Sequence, residues 1–230
     1  MTIVRTIESA SSTLAICRDL TDDEVVARVL DGDIARFECL MRRHNQRLYR
    51  LARAVVRNDA DAEDVLQEAY ARAFAKLSSF EGRSSVVTWL SRIVYHEALR
   101  RELKERTVRK TIREKSERGT HDPGRYVSAE SEASARELAS AVAEAIDGLP
   151  SLLRQVAVLR LVQELDTRGT ARCLGMTELG VRVALHRARG RLARTLGRDT
   201  LSELPKQMVF DGDRCDRIVR SVMIQLLPNG

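Results

Sequence analysis

Apolar side chains recur three and four residues apart along nearly every long segment of this chain, and little interrupts them. Only 12 glycines and 4 prolines fall among 230 residues. Ala, Leu, Arg and Glu dominate, and these side chains favour helix over sheet. The sequence therefore predicts an all-α protein. Thr21-Asp22-Asp23-Glu24 reads as a helix start, with Thr21 as N-cap and Glu24 at the capping-box position. Val25, Val26, Val29 and Leu30 form its apolar stripe, which Gly32 ends. Phe37, Leu40, Met41, Leu48, Leu51 and Val55 predict a second helix over 33–56. After a turn at Asn58-Asp59, the run Val65, Leu66, Ala69, Ala73, Phe74 and Leu77 predicts a third over 61–77. A loop over 78–85, with Gly82, leads to a fourth helix that starts at Val86 and continues past Arg101.

The pattern then changes. From Arg101 to Arg118 charged residues dominate, and Gly119 to Gly124, with Pro123, must interrupt any helix. The chain thus divides into a mobile Ser/Thr-rich arm (1–20), a first helical domain (21–103), a flexible charged linker (104–132), a second helical domain (133–196) and a C-terminal extension (197–230). One short helix is expected in the extension, over 213–227. Ile218, Val222 and Leu226 give it a narrow apolar stripe, expected to rest on the second domain.

Composition narrows the function. The formal net charge is +6 and the pI about 9.4, which suits a polyanionic partner. Cys17, Cys39, Cys173 and Cys215 include no C-x-x-C pair and read as four reduced thiols of a cytoplasmic protein, with no zinc site. The apolar run Leu14–Cys17 is too short for a signal core or a membrane insertion. The sequence offers no nucleophile–base–orienter set, metal site or phosphate loop, so neither an enzyme nor a bound cofactor is expected.

Three constellations carry functional chemistry. Asp61, Asp64 and Glu68 sit at i, i+3 and i+7, so they share one helical face away from Leu66, Ala69 and Ala73, with Gln67 beside them. Such a face either binds basic groups on a partner or is simply solvated, its acids favoured by the helix N-terminus. Next, Phe80-Glu81-Gly82-Arg83-Ser84-Ser85 precedes Thr88-Trp89-Leu90-Ser91-Arg92-Ile93. A polar loop above a basic helix suits single-stranded bases, while Trp89 itself reads as a core anchor that holds the loop. Third, a short helix over 166–174, Gly175 at a turn, and a longer helix from Thr177 form a helix-turn-helix. Val181, Leu185, Ala188, Leu192 and Leu196 face its core; Arg182, Val183, His186, Arg187 and Arg189 face outward. An Arg-rich solvated helix is the competing reading.

Read in order, Asp61-Ala62-Glu63-Asp64-Val65-Leu66-Gln67-Glu68-Ala69-Tyr70, the Thr88-Trp89-Leu90 segment, and Leu149-Pro150 through Arg187-Ala188-Arg189 resemble bacterial RNA polymerase sigma factors. The likeness is to the extracytoplasmic-function group of the sigma-seventy family. It covers about 21–101 and 141–196. The resemblance implies a sigma factor that directs core RNA polymerase to promoters and helps to open them. It implies polymerase contact at Asp61, Asp64, Gln67 and Glu68. Contact with the −10 promoter strand falls on Arg83, Ser84, Ser85, Arg92, His96 and Arg100. Reading of the −35 duplex falls on Arg182, Val183, His186, Arg187 and Arg189. Core polymerase and promoter DNA are the implied partners, and anti-sigma factors are common in the group. His96 stands where the family usually carries Asn. Gly169-Thr170-Ala171 and Leu179-Gly180-Val181 also depart from its pattern, and both glycines lower helix propensity. The alternative is an autonomous helix-turn-helix regulator, which leaves the Asp61–Glu68 face unexplained. A nucleic-acid-processing enzyme with Mg²⁺ held by the acidic cluster is a poorer fit, since three acids on one solvated face make a weak site. The linker also lets the two domains close, with an expected contact between the basic recognition face and Asp61, Asp64 and Glu68.

Overall fold

Thr21 starts the first helix as its sequence requires. In the computed structural model, the Glu24 N–H donates to Thr21 Oγ1 at 3.3 Å and the Thr21 N–H to Glu24 Oε2 at 2.7 Å. The structure describes residue 17 and residues 19–113, 141–197 and 212–227, and every regular element among them is helical. Helix α1 spans Asp22–Leu30, and a 3₁₀ turn, Ile34–Arg36, leads into α2, Phe37–Val56. Helix α3, Asp59–Ala75, begins slightly earlier than its apolar stripe suggests, because Asn58 serves as N-cap and accepts from the Asp61 N–H at 3.0 Å. Helix α4, Val86–Arg113, continues into the charged stretch read as linker. The rest of that linker, 114–132, and most of the N-terminal arm lie outside the described residues.

α2, α3 and α4 pack mutually around Phe37, Leu40, Met41, Leu48, Leu51, Leu66, Tyr70 and Leu90, all essentially inaccessible to water. The Phe37 ring stands edge-on to Tyr70 and Phe74, with centroids 6.1 and 5.4 Å away.

The cysteines correct one expectation. Cys17 and Cys39 form a disulfide, while Cys173 and Cys215 are free. The arm before α1 turns back onto α2 because Arg43 donates to the carbonyls of Cys17 and Leu20, each at 2.7 Å. Their separation of 22 residues gave no motif to read. A closed loop of that size restricts the unfolded chain by about 3 kcal/mol. Cys17→Ser is therefore expected to lower stability by about that amount. In denaturant titrations, reductant should shift the wild type equally and leave the variant unmoved.

The second domain is built from a helical segment over 141–147, α5 (Ser151–Ala157), a π turn (Val158–Val162), α6 (Thr167–Leu174) and α7 (Glu178–Leu196). It sits against the first. Arg154, buried, donates from Nε to the Ala54 carbonyl at 2.6 Å, and from Nη1 to the Asp147 and Leu149 carbonyls at 3.0 and 3.1 Å. The π turn gives the backbone an i→i+5 bond, Gln163 N–H to the Val158 carbonyl at 2.9 Å. Gln163 lies at its end, where its amide donates to the Arg47 carbonyl at 2.7 Å and accepts from Ser91 Oγ at 3.3 Å. Between Arg47 and Ala54 on the same α2 face lies Arg50, buried, with Nη2 lacking a hydrogen-bond partner. Burial, aided by the neighbouring Arg47 charge, pushes the Arg50 guanidinium down to about 10.

Closure thus differs from the expected one. α6 and the π turn rest on α4 and α2, while the outward basic face of the recognition helix α7 stays exposed to solvent and does not meet the acidic face of α3.

The last helix, α8 (Gly212–Leu226), corrects a further expectation. It packs on α2 and α3 of the first domain, not on the second. Ile218, Val219 and Val222 are buried in the first domain's core. Arg214 stacks over the Tyr49 ring at 4.5 Å and pairs with Glu63 at 2.9 Å, and Arg42 reaches Asp216 at 2.7 Å. The apolar stripe of α8 was legible, but its receiving groove is created only when α2 meets α3.

Candidate functional site

Three surfaces carry the predicted residues. On α3, Ala62, Val65, Leu66, Ala69 and Ala73 are buried, which turns Asp64 and Glu68 to solvent. The neighbouring acids are already engaged. Arg101 Nη2 binds Asp61 at 2.6 Å and Asp64 at 3.1 Å, and the Asp61 bond is the main cause that raises the Arg101 pKa. Gln67 Oε1 accepts from Ser221 Oγ of α8 at 2.9 Å. Asp64, Gln67, Glu68, Ala71, Arg72 and Gln225 line a cleft of about 550 Å³ between α3 and α8. Glu63 was missed in the sequence as a partner for α8; it pairs with both Arg214 and Arg217. No local signal marks it, because both partners lie far along the chain.

The second surface is the loop before α4 and the outer face of that helix. Phe80 packs on Trp89, ring centroids 5.4 Å apart, so the partly buried Trp89 anchors the loop. Ser85 Oγ accepts the Thr88 N–H at 3.3 Å, capping α4. Arg83 is exposed and pairs with Glu81 at 2.9 Å. Arg92, His96 and Arg100 form one exposed stripe, where Arg100 also binds the buried Glu97 at 2.7 Å. Arg83, Ser84 and Ser85 additionally line a second cleft of about 550 Å³ with Arg47, Arg168 and Arg172. Gly169 belongs to this junction. A Cβ there would stand 2.8 Å from Asp166 Oδ1, so glycine leaves room for the carboxylate that caps α6, while Thr88 Oγ1 of α4 would be in ordinary contact at 3.4 Å.

The third surface is the helix-turn-helix. Asp166 caps α6 by accepting from the Gly169 N–H, and α6 ends at Gly175 with φ +64°. Thr177 caps α7, accepting from the Gly180 N–H at 3.1 Å. Val181, Ala184, Leu185, Ala188 and Leu192 are buried. Arg182, Val183, His186, Arg187 and Arg189 all face solvent. Leu179, 67% exposed and one turn before Val183, is an apolar addition to this surface that polarity-based reading passed over.

The sigma-70 region 2 family model matches residues 40–107, which include α3 and the loop before α4. ECF RNA polymerase sigma factor SigM of Mycobacterium tuberculosis is 36% identical over 177 residues, 77% of this chain and 85% of the relative. The chain belongs to the ECF sigma factors. SigX of Bacillus subtilis, another such factor, is 31% identical over 152 residues, 66% of this chain and 78% of SigX. Two solved structures share the fold at a TM-score of 0.53 and 22% identity: RpoE with the anti-sigma factor NepR from Bartonella quintana, and CnrH with the cytosolic domain of CnrY. This chain is covered to 71% and 76%, each of theirs to 96%. This sigma factor accordingly directs core RNA polymerase to promoter DNA. An autonomous regulator would leave the shared region 2 without a use. No helix among the described residues is long and apolar enough to cross a membrane.

Proposed function

We propose that the three surfaces divide the work of initiation. Asp61, Asp64, Gln67 and Glu68 dock on core polymerase. Arg83, Ser84, Ser85, Arg92, His96 and Arg100 receive the opened −10 strand. Arg182, Val183, His186, Arg187 and Arg189 enter the −35 major groove, where the exposed Leu179 and Val183 are placed to meet thymine methyl groups. Residues 21–103 act as the polymerase and −10 domain and 133–196 as the −35 domain. The chemistry of transcription stays with polymerase, in the cytoplasm, and an anti-sigma partner such as those in the two solved relatives belongs to this reading.

The observation that supports it best is the separation of charge. The outer face of α3 exposes the acids Asp64 and Glu68, whereas α4 exposes Arg92, Arg100 and Lys104 and α7 exposes Arg182, Arg187, Arg189, Arg191 and Arg194. An acidic strip repels DNA and suits a basic protein, while the basic faces suit phosphate and base edges. The test is promoter-specific transcription with purified core polymerase. Arg182→Ala and Arg187→Ala should each weaken −35 binding by about 1–3 kcal/mol if the contact is bidentate to a base. A phosphate contact instead weakens all sequences alike and flattens the salt dependence. Wild-type output from both variants would remove α7 from promoter reading.

A further inference from the structure

We infer that α8 forms the second wall of the polymerase-docking face, so that a basic helical segment of core polymerase seats in the cleft between α3 and α8. The inference rests on the docking role proposed for α3. It adds a contact surface from the C-terminal extension, which lies beyond the residues matched to sigma-70 region 2.

Two arrangements would satisfy the observed contact of α8 with Gln67. Either α8 covers the docking face and must leave, or it stays and shares the partner. Burial favours the second. Ile218 and Val222 are fully inaccessible and Val219 nearly so, and all three belong to the same core as Phe37, Leu66 and Tyr70. Departure of α8 would expose that core to water. Geometry makes departure unnecessary. On α3, Glu63 and Gln67 face α8, and Asp64, Glu68 and Ala71 lie about 90° further round the helix. Two helices packed against α3 at about 9 Å in those two sectors would stand about 13 Å apart, more than the 8–10 Å that packed helices need. The incoming segment therefore fits beside α8, over the open strip.

The chemistry of the cleft names the occupant. Asp64 and Glu68 supply exposed negative charge, Arg72 on the same wall is paired with the buried Glu97 at 2.6 Å, and Gln225 of α8 closes the opposite side. Ile224 is 68% exposed and follows Ser221 and Arg217 by three and seven residues. It thus shares a flank of α8 with the two side chains that bind Gln67 and Glu63. A basic helix carrying an apolar side chain would satisfy both walls at once.

The experiment is a titration of the full chain against purified core polymerase. Ile224→Lys should weaken binding about ten-fold and Gln225→Ala less. Both side chains are exposed, so thermal unfolding should not move. A photo-crosslinking side chain in place of Ile224 should attach to a polymerase subunit. Asp64→Lys with Glu68→Lys, run alongside, gauges the α3 role independently. Loss of binding by that pair with unchanged affinity and no crosslink at position 224 would overturn the shared cleft and leave α3 docking intact. Tighter binding by the Ile224 or Gln225 variants would also overturn it, since α8 would then be a cover. Wild-type affinity in the Asp64/Glu68 pair would remove the docking role of α3, and the shared cleft with it.

Discussion

Asp64→Lys combined with Glu68→Lys is expected to abolish binding to core polymerase while leaving the helical fold unchanged. Both carboxylates face solvent, and neither supports the core that holds α3 in place. Asp64 pairs with Arg101 at 3.1 Å, but it is more than half exposed, and a pair of that kind contributes at most about 1 kcal/mol. The exchange replaces two negative charges by two positive ones on a surface proposed to meet a basic partner. Close charge pairs across protein interfaces couple by about 1.5–7 kcal/mol each. Two attractions turned into repulsions should therefore lower affinity by more than about a thousand-fold. Titration against core polymerase, with circular dichroism on the same sample, checks both halves. Retained affinity would place the docking surface elsewhere.

Arg154→Ala should separate the two domains. Its guanidinium supplies donors to three carbonyls, one in the first domain at Ala54 and two in its own at Asp147 and Leu149. Burial lowers its pKa, the sign of a cation held out of water by geometry. Truncation leaves those carbonyls without their donor, at about 1–3 kcal/mol for each that stays dry. Water reaches them most easily if the domains part. A larger radius in solution scattering and a lower unfolding midpoint are expected. Gln163→Leu, which removes the bonds to Arg47 and Ser91, should open the molecule by a smaller amount. An unchanged radius in both variants would show that other contacts hold the domains together. Parting also widens the cleft that Arg83, Ser84 and Ser85 share with α6 residues Arg168 and Arg172.

Local features of this fold were legible and distant ones were not. Thr21, Asp166 and Thr177 announce helix starts because a cap acts on an N–H two or three residues away, and Gly175 marks a stop by the same short range. Outward residues of α7 follow from the spacing of Val181, Leu185, Ala188 and Leu192. Other features depend on residues far apart in the chain. Cys17 meets Cys39 only after the arm folds back, and Ser221 meets Gln67 only after α8 finds its groove. The π turn before Gln163 has no signature in side-chain spacing. Gly169 shows how a local rule can mislead: propensity counts it as a weakness of α6, whereas its missing Cβ leaves the space that the capping Asp166 carboxylate occupies.

Arg50 gives the closed arrangement a further property. The side chain remains protonated at neutral pH, since its pKa stays near 10, yet it is held on the α2 face between two carbonyls that the second domain binds. One nitrogen finds no acceptor there. A sequestered cation without a counter-ion is a standing liability of several kcal/mol. Within the closed molecule that cost is set against the bonds that Arg154 and Gln163 make to the carbonyls on either side of Arg50.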